Sequence, residues 1–195
     1  MACKKIALIG GGQIGGNLAL LASQKELGDV VIYDIPQAEG TTKGKALDIM
    51  QLRPHDGYDG NLEGTSDPAD LKNADVICTA TPSEDSLFEL GTIKKGVHIN
   101  AIGSFKPSMK EIHCDIIKSS KIIVDSLGAC RKEAGDLIQA KNETSWDFDN
   151  VYMQLGEVFS KQEKLNDLQK NNTLFKSVGL AFQDLVMAEA IMYDL

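Results

Sequence analysis

The 195-residue chain is acidic, with 28 Asp and Glu against 20 Lys and Arg and a formal net charge of −8. It lacks the basic footprint that nucleic-acid binding needs, and no apolar run approaches the roughly 18 residues of a membrane-spanning helix. The length suits one domain from 1 to 195, able to bury about 70% of the surface its unfolded chain exposes.

Met1-Ala2-Cys3-Lys4-Lys5 leads straight into a short apolar run, Ile6 to Ile9. A basic start before an apolar run has the outline of a signal peptide, but glycines interrupt the run from Gly10 to Gly16 and the fold needs it as a strand. The expected setting is cytoplasmic. Gly10, Gly12 and Gly15 fit G-x-G-x-x-G, and a helical pattern follows over 17–26. In that motif the first glycine permits the tight turn, the second lets the backbone approach a pyrophosphate, and the third lets helix and strand pack closely. Free N–H groups and the positive dipole end of the helix then face the phosphates. A second strand, 29–33, ends at Asp34, about 20 residues beyond Gly15, where a carboxylate can accept from the adenosine ribose hydroxyls. Strand, glycines, helix, strand and acid arrive in the order a dinucleotide site requires. Asp34 favours NAD(H) over NADP(H), whose 2′-phosphate it would repel.

After a loop over 35–40, Thr41 or Thr42 offers a cap for a helix to about Leu52, closed by Pro54 and Gly57. Residues 61–65 make a poor third strand with Gly64 inside it. Ser66-Asp67-Pro68 starts a short helix reaching Asn73. Strands are expected at 75–79, 97–102 and 121–124, with a helix over 107–119 between the last two. The segment 127–170 is less patterned; helices are expected near 133–140 and 151–159, with Trp146 packing where this segment crosses the sheet. A short seventh strand at 173–176 and a helix over 179–193 close the chain. Strands alternating with helices argue an α/β fold, a doubly wound parallel sheet of the NAD(P)-binding Rossmann type. Ligands of such sheets lie outside the carboxyl ends of the strands. On that rule Gly10, Gly11, Gly12, Gln13 and Ile14 should wrap the pyrophosphate and Asp34 with Ile35 should hold the adenosine. Thr79, Ala80, Thr81, Pro82, Ser83, Gly103 and Ser104 should approach the nicotinamide half.

Two resemblances run through the chain. Residues 4–75 resemble malate dehydrogenase of the lactate/malate dehydrogenase superfamily, in KIALIGGGQIGGNLALLASQKELGDVVIYD (5–34), GKALDI (44–49) and DPADLKNADV (67–76). That resemblance implies NAD and a two-domain enzyme whose catalytic arginine loop follows the fourth strand. This chain instead reads Thr81-Pro82-Ser83-Glu84-Asp85-Ser86 there, and Arg53 and Arg131 are its only arginines. Residues 76–195 resemble the ornithine cyclodeaminase, archaeal alanine dehydrogenase and mu-crystallin family, in ICTATPS (77–83), GVHINAIGSFKPSMKEI (96–112), KIIVDS (121–126) and TLFKSVGLAFQD (173–184). That family builds its substrate domain mainly from residues ahead of the glycine motif, where this sequence has about five. Phe105 occupies the position at which some members carry an active-site aspartate. The resemblances imply either an engineered chimera joined near 69–76, or a natural divergent Rossmann protein.

The remaining chemistry-bearing residues form no recognisable centre. Cys3, Cys78, Cys114 and Cys130 show no metal or redox spacing, and Cys78 reads as a buried small hydrophobe. His98 reads as a core histidine with a backbone partner, and the carboxylates between 133 and 163 as a solvated face; no metal site is expected. The leading expectation is an NAD(H)-binding domain without turnover, as a monomer or weak homodimer, with NAD(H) as its partner and neither nucleic acid nor membrane. The alternative is an NAD-dependent oxidoreductase for a small 2-hydroxy or 2-amino acid, with Lys106 orienting the substrate.

Overall fold

The computed structural model describes residues 4–161, 166, 168 and 170–193. Cys3 lies outside them. Among the described residues the strands are β1 (Lys5–Ile9), β2 (Asp29–Tyr33), β3 (Leu62–Thr65), β4 (Val76–Thr79), β5 (His98–Ala101), β6 (Ser120–Val124), β7 (Met153–Gln154) and β8 (Asn172–Lys176). The helices are α1 (Gln13–Gln24), α2 (Glu39–Asp56), α3 (Cys114–Ser119), α4 (Leu127–Glu133), α5 (Gly135–Glu143), α6 (Leu155–Val158) and α7 (Ala181–Tyr193). The strands form a single sheet in the order β3-β2-β1-β4-β5-β8-β6-β7, and every pairing is parallel. From β1 the chain first winds through β2 to β3, then crosses back to β4 on the other side of β1. The crevice outside the carboxyl ends of β1 and β4 is therefore the topological switch point of a Rossmann-type fold.

Strand alternation sorts the side chains into two faces. On the back face, Ala7, Ile77, Ile99, Leu174 and Ile122 lie in register across five strands, all fully buried. They join Ile116 and Ile117 of α3, Cys130 of α4, Leu137 and Ala140 of α5, and Phe148. Trp146 packs edge-on against Phe148 in this cluster, with ring centroids 5.3 Å apart. On the front face, α1 and α2 close over Ile6, Leu8, Val30 and Ile32 through Ala19, Ala22, Ala46 and Ile49.

Several boundaries differ from the sequence reading. α1 begins at Gln13, because Gly12 already serves as its N-cap. α2 begins at Glu39, launched by a 3₁₀ turn at Pro36–Ala38, so Thr42 is not a cap; its buried hydroxyl donates to Glu39 O. Pro54 lies inside the last turn of α2, and Gly57 closes the helix at φ +78° by donating to Arg53 O. The helix expected over 107–119 is confined to α3. Residues ahead of it are drawn into contact with the β4 exit loop: Lys110 N–H donates to Ser83 O, Leu87 N–H donates to Glu111 O, and Phe88 bridges Ile112. The helix expected near 133–140 is α5, and α4 stands ahead of it where no helix was expected. The helix expected over 151–159 contains β7 and only a short α6. Cys78 is half-buried rather than buried. The partners of His98 are side chains: Thr173 Oγ1 at 2.7 Å and Asn100 Oδ1 at 3.2 Å.

Candidate functional site

The first wall of the crevice is the turn from β1 into α1. Gly10 sits at φ +104°, and a Cβ there would lie 2.7 Å from Ala80 O, across the switch point. At Gly15 a Cβ would lie 1.9 Å from Gly10 O, so only glycine lets α1 pack this close to its own turn. Gly12 is different: nothing lies within 4 Å of where its Cβ would be. The backbone at Gly12 is bare, beside the free N–H groups at the start of a twelve-residue helix. This is the arrangement in which an anion can approach the chain.

Two side chains hold that turn. Asp34, at the end of β2, accepts from Gly11 N–H through Oδ2 at 2.8 Å and from Ile35 N–H through Oδ1 at 2.8 Å. Each oxygen keeps a lone pair for a further donor. Lys45 of α2 reaches back to donate to Gly11 O at 2.6 Å and Gly12 O at 2.8 Å. With their carbonyls fixed on that side, the Gly11–Gly12 backbone is oriented before any ligand arrives. Lys45 lies within the GKALDI stretch, but nothing in its spacing marks it as a clamp.

The second wall is built on a buried carboxylate. Glu111 is fully buried. It accepts from Thr79 Oγ1 (2.8 Å), Thr81 N–H (2.7 Å), Thr81 Oγ1 (2.8 Å), Gly103 N–H (2.8 Å) and Ser104 N–H (3.1 Å). One side chain thus ties the exit loop of β4 to that of β5. Thr79 and Ser104 are themselves fully buried, and the Ser104 hydroxyl donates to Met109 O. Their polar groups are committed to shaping the two loops, whereas Thr81 and Ser83 stay half-exposed and Pro82 exposed.

Behind Glu111 stands a second buried carboxylate, Asp136, which accepts from Glu111 N–H at 2.6 Å and Ile112 N–H at 3.0 Å. Its other oxygen lies 2.9 Å from Lys176 Nζ, and both side chains are buried. That contact is coulombic, because the approach lies off the hydrogen-bonding directions and neither atom has another partner. A third carboxylate, Asp125 at the end of β6, accepts from Ser177 Oγ, Val178 N–H and Gly179 N–H and so fixes the exit of β8. Burial first, and then the Asp125 charge, push the neighbouring Cys130 thiol up to about 12.

The expected site residues therefore converge. Gly10 to Ile14, Asp34 and Ile35, Thr79 to Ser83, and Gly103 with Ser104 all follow the carboxyl ends of neighbouring strands β2, β1, β4 and β5. The two arginines and Lys106 do not join them. Arg53 pairs with Asp59, and Arg131 with Asp149 at 3.2 Å, both on the surface. Lys106 is exposed, its Nζ 5.6 Å above the Phe105 ring. Among the described residues no group of three His, Cys, Asp or Glu could hold a metal, and no helix is long and apolar enough to cross a membrane.

Residues 2–195 match the family model described as "Ornithine cyclodeaminase/mu-crystallin family". The chain belongs to that family. Among solved structures, Δ1-pyrroline-2-carboxylate reductase of Thermococcus litoralis, in complex with NADH and L-proline, superposes with a TM-score of 0.82 at 25% identity. The match covers 96% of this chain and 56% of that one. An archaeal alanine dehydrogenase dimer with bound NAD shares the fold with a TM-score of 0.76 at 24% identity, over 99% of this chain and 59% of that one. Sequence similarity to curated proteins points elsewhere. A malate dehydrogenase of Myxococcus xanthus is 70% identical over 74 residues, 38% of this chain and 24% of that protein. Another, of Citrifermentans bemidjiense, is 46% identical over 117 residues, 54% of this chain and 36% of that protein. The chain thus spans about a quarter to a third of these curated relatives and a little over half of the solved ones.

Proposed function

We propose that these 195 residues form an NAD(H)-binding unit that does not by itself turn over a substrate. The observation that carries the reading is the contrast among the three motif glycines. Gly10 and Gly15 are jammed against backbone, whereas Gly12 opens onto space in front of the α1 N-terminus. The pyrophosphate lies there, the adenosine ribose on Asp34, and the nicotinamide between the loops that Glu111 ties together. NADH and NAD in the two solved relatives support the choice of cofactor.

Asp34 sets the preference within that class. A 2′-phosphate placed about 4 Å from its carboxylate would be repelled by roughly 4 kcal/mol at an effective dielectric near 20, before screening and relaxation. Two cations are near, but Lys43 is already paired with Glu39 at 2.8 Å and Lys45 is held on the Gly11 and Gly12 carbonyls. The reading of catalytic silence rests on placement: both arginines are paired on the surface, and Phe105 stands where some members of the family carry an active-site aspartate. Fixing a substrate in near-attack geometry can contribute about 7–11 kcal/mol, and no described side chain at this crevice is set to do it.

The 70% identity to a malate dehydrogenase over 38% of the chain, beside a family model that matches residues 2–195, supports a mosaic origin, which we read as an engineered chimera of a malate-dehydrogenase-like first part (1–75) and an ornithine-cyclodeaminase-like second part (76–195). An apolar pocket of about 360 Å³ lies between residues 67–72 and 87–93, where the two parts meet.

Calorimetry with NADH and NADPH at one salt concentration tests the reading. The expected result is NADH tighter by at least about tenfold, with no steady NADH oxidation on adding oxaloacetate, pyruvate or an imino acid. No heat from NADH in a folded sample overturns the binding reading, and equal or tighter NADPH overturns the role of Asp34. Saturable turnover that disappears on Lys106→Ala would establish the dehydrogenase alternative instead.

A further inference from the structure

The β4–β5 wall of the crevice is backed by a lysine that never reaches it. Among the described residues the buried charged side chains are Glu111, Asp125, Asp136 and Lys176. Lys176 is thus the one cation set against three carboxylates. It is the last residue of β8, and its backbone is fixed on every side. It pairs with Ala101 of β5 and Val124 of β6, and its carbonyl accepts from Asp125 N–H at 3.1 Å. Its side chain points to the back face of the sheet, as that of Leu174 does two residues earlier. A lysine ordinarily carries its ammonium out to water on a flexible stem. Here the residue is fully buried, and Nζ, with no hydrogen-bond partner, lies 2.9 Å from Asp136 Oδ2.

Asp136 is gripped from the other side by the loop after β5. At Gly135, just ahead of it, a Cβ would lie 2.1 Å from Met109 O and 2.3 Å from Lys106 O. Asp136 N–H donates to Ser104 Oγ at 3.3 Å, and Gln139, one turn on, donates to Pro107 O and Met109 O. The first turn of α5 is therefore seated in that loop. Asp136 Oδ1 accepts from Glu111 N–H and Ile112 N–H, while Oδ2 has no donor and faces only the Lys176 charge. Glu111 in turn divides its oxygens. Oε1 accepts from Thr81, and Oε2 from Thr79, Gly103 and Ser104, so a turn of this carboxylate disturbs both exit loops at once. One line of contacts runs from the sheet through Lys176, Asp136 and Glu111 to the two loops. The β1–β2 wall takes its support from Asp34 and Lys45 instead.

We propose that Lys176 is a positioning residue for the nicotinamide half of the cofactor, acting through Asp136 and Glu111 on the β4 and β5 exit loops. The proposal rests on the NAD(H)-binding reading above and deepens it. Lys176 touches no ligand; it anchors the Asp136 carboxylate to a central strand, and that carboxylate aims Glu111. Because the two walls have separate supports, the grip on the nicotinamide is lost without Lys176 while the grip on the adenosine diphosphate remains. A buried ion pair often adds little stability over neutral residues of similar size; this one is kept for the geometry it imposes.

Calorimetry of the full chain with NADH and with ADP-ribose, which lacks only the nicotinamide, tests this on two variants. Lys176→Met strands the Asp136 charge in the interior and should lower the urea midpoint. Lys176→Met combined with Asp136→Asn removes both charges and keeps an amide oxygen for Glu111 and Ile112. Its midpoint should return toward that of the unaltered chain, and it carries the test alone should the single variant fail to fold. The unaltered chain is expected to bind NADH at least about tenfold tighter than ADP-ribose. Both variants should bind ADP-ribose within about twofold of the unaltered chain, yet prefer NADH over it by no more than about threefold. The fluorescence of bound NADH, which reports the surroundings of the nicotinamide, should move in both variants toward that of free NADH. A merely structural role predicts that NADH binding follows the midpoint and is repaired in the double variant, and that outcome overturns the proposal. So do variants in which both ligands weaken together, and variants in which neither does. An unaltered chain that binds the two ligands equally overturns this proposal alone, whereas one that binds neither overturns the binding reading and this proposal with it.

Discussion

The two walls of the crevice are made by different means. The β1–β2 wall is shaped by backbone: three glycines set its curvature, and partly exposed side chains, Asp34 and Lys45, steady it from either side. The β4–β5 wall is shaped by buried charge: Glu111 gathers five donors, Asp136 braces Glu111 from behind, and Lys176 stands against Asp136. A backbone-shaped wall leaves room for a ligand and is sensitive to added atoms. A carboxylate-shaped wall is already full and is sensitive to removed ones. The first kind suits a surface that must admit a pyrophosphate, the second a scaffold that must hold two loops in one relative position.

The largest expected effect comes from removing the carboxylate. Glu111→Ala leaves donors of Thr79, Thr81, Gly103 and Ser104 without their acceptor, and those of Thr79 and Ser104 are buried away from water. Buried unsatisfied groups cost about 1–3 kcal/mol each before relaxation, so a net loss of about 3–5 kcal/mol is expected in urea unfolding. A loss under about 1 kcal/mol would mean that the loops hold themselves and that the contrast between the walls is false.

Next comes a pair of substitutions in the backbone-shaped wall. Gly15→Ala adds a methyl 1.9 Å from Gly10 O, and the overpacking should cost about 3 kcal/mol of stability as α1 is pushed off its turn. Gly12→Ala meets no protein atom within 4 Å. Its stability should stay within about 1 kcal/mol, the cost of a poorer N-cap, while NADH affinity falls at least about tenfold. Unfolding and calorimetry on the same two samples separate the cases. An Ala at position 12 that binds NADH normally would place the pyrophosphate elsewhere.

The difference between the walls also decides what could be read from the sequence. A backbone requirement writes itself into residue type, so Gly10, Gly12, Gly15 and the strand-end Asp34 stood out by spacing alone. The continuous apolar runs of β1, β2 and β6 were legible because both faces of a parallel strand are enclosed. Glu111, Asp125, Asp136 and Lys176 were not legible, because a carboxylate or lysine in a sequence carries no mark of burial. The segment 107–113 illustrates the cost. Its composition reads as helix, yet Glu111 is drawn inward and the chain around it pairs with the β4 exit loop instead. The two-residue β7 is too short to have a period. On α7 the apolar spacing correctly gave a helix, but spacing does not say what a helix packs against.

The smallest expected effect lies on the front face. Burial pulls the His98 imidazole below its usual value, with the hydrogen bond to Asn100 working weakly the other way. Its ring is held by Thr173 Oγ1 and Asn100 Oδ1, so the folded chain favours the neutral form. In the unfolded chain the imidazole titrates near 6.5. A folded value below the unfolded one means that the unfolded state takes up the proton first as pH falls. The stabilising contribution is complete above about 6.5 and declines below it, until the folded imidazole also protonates. Urea midpoints should therefore fall gently from pH 7 to pH 5, and His98→Gln, which keeps polar atoms at that position, should flatten that part of the curve.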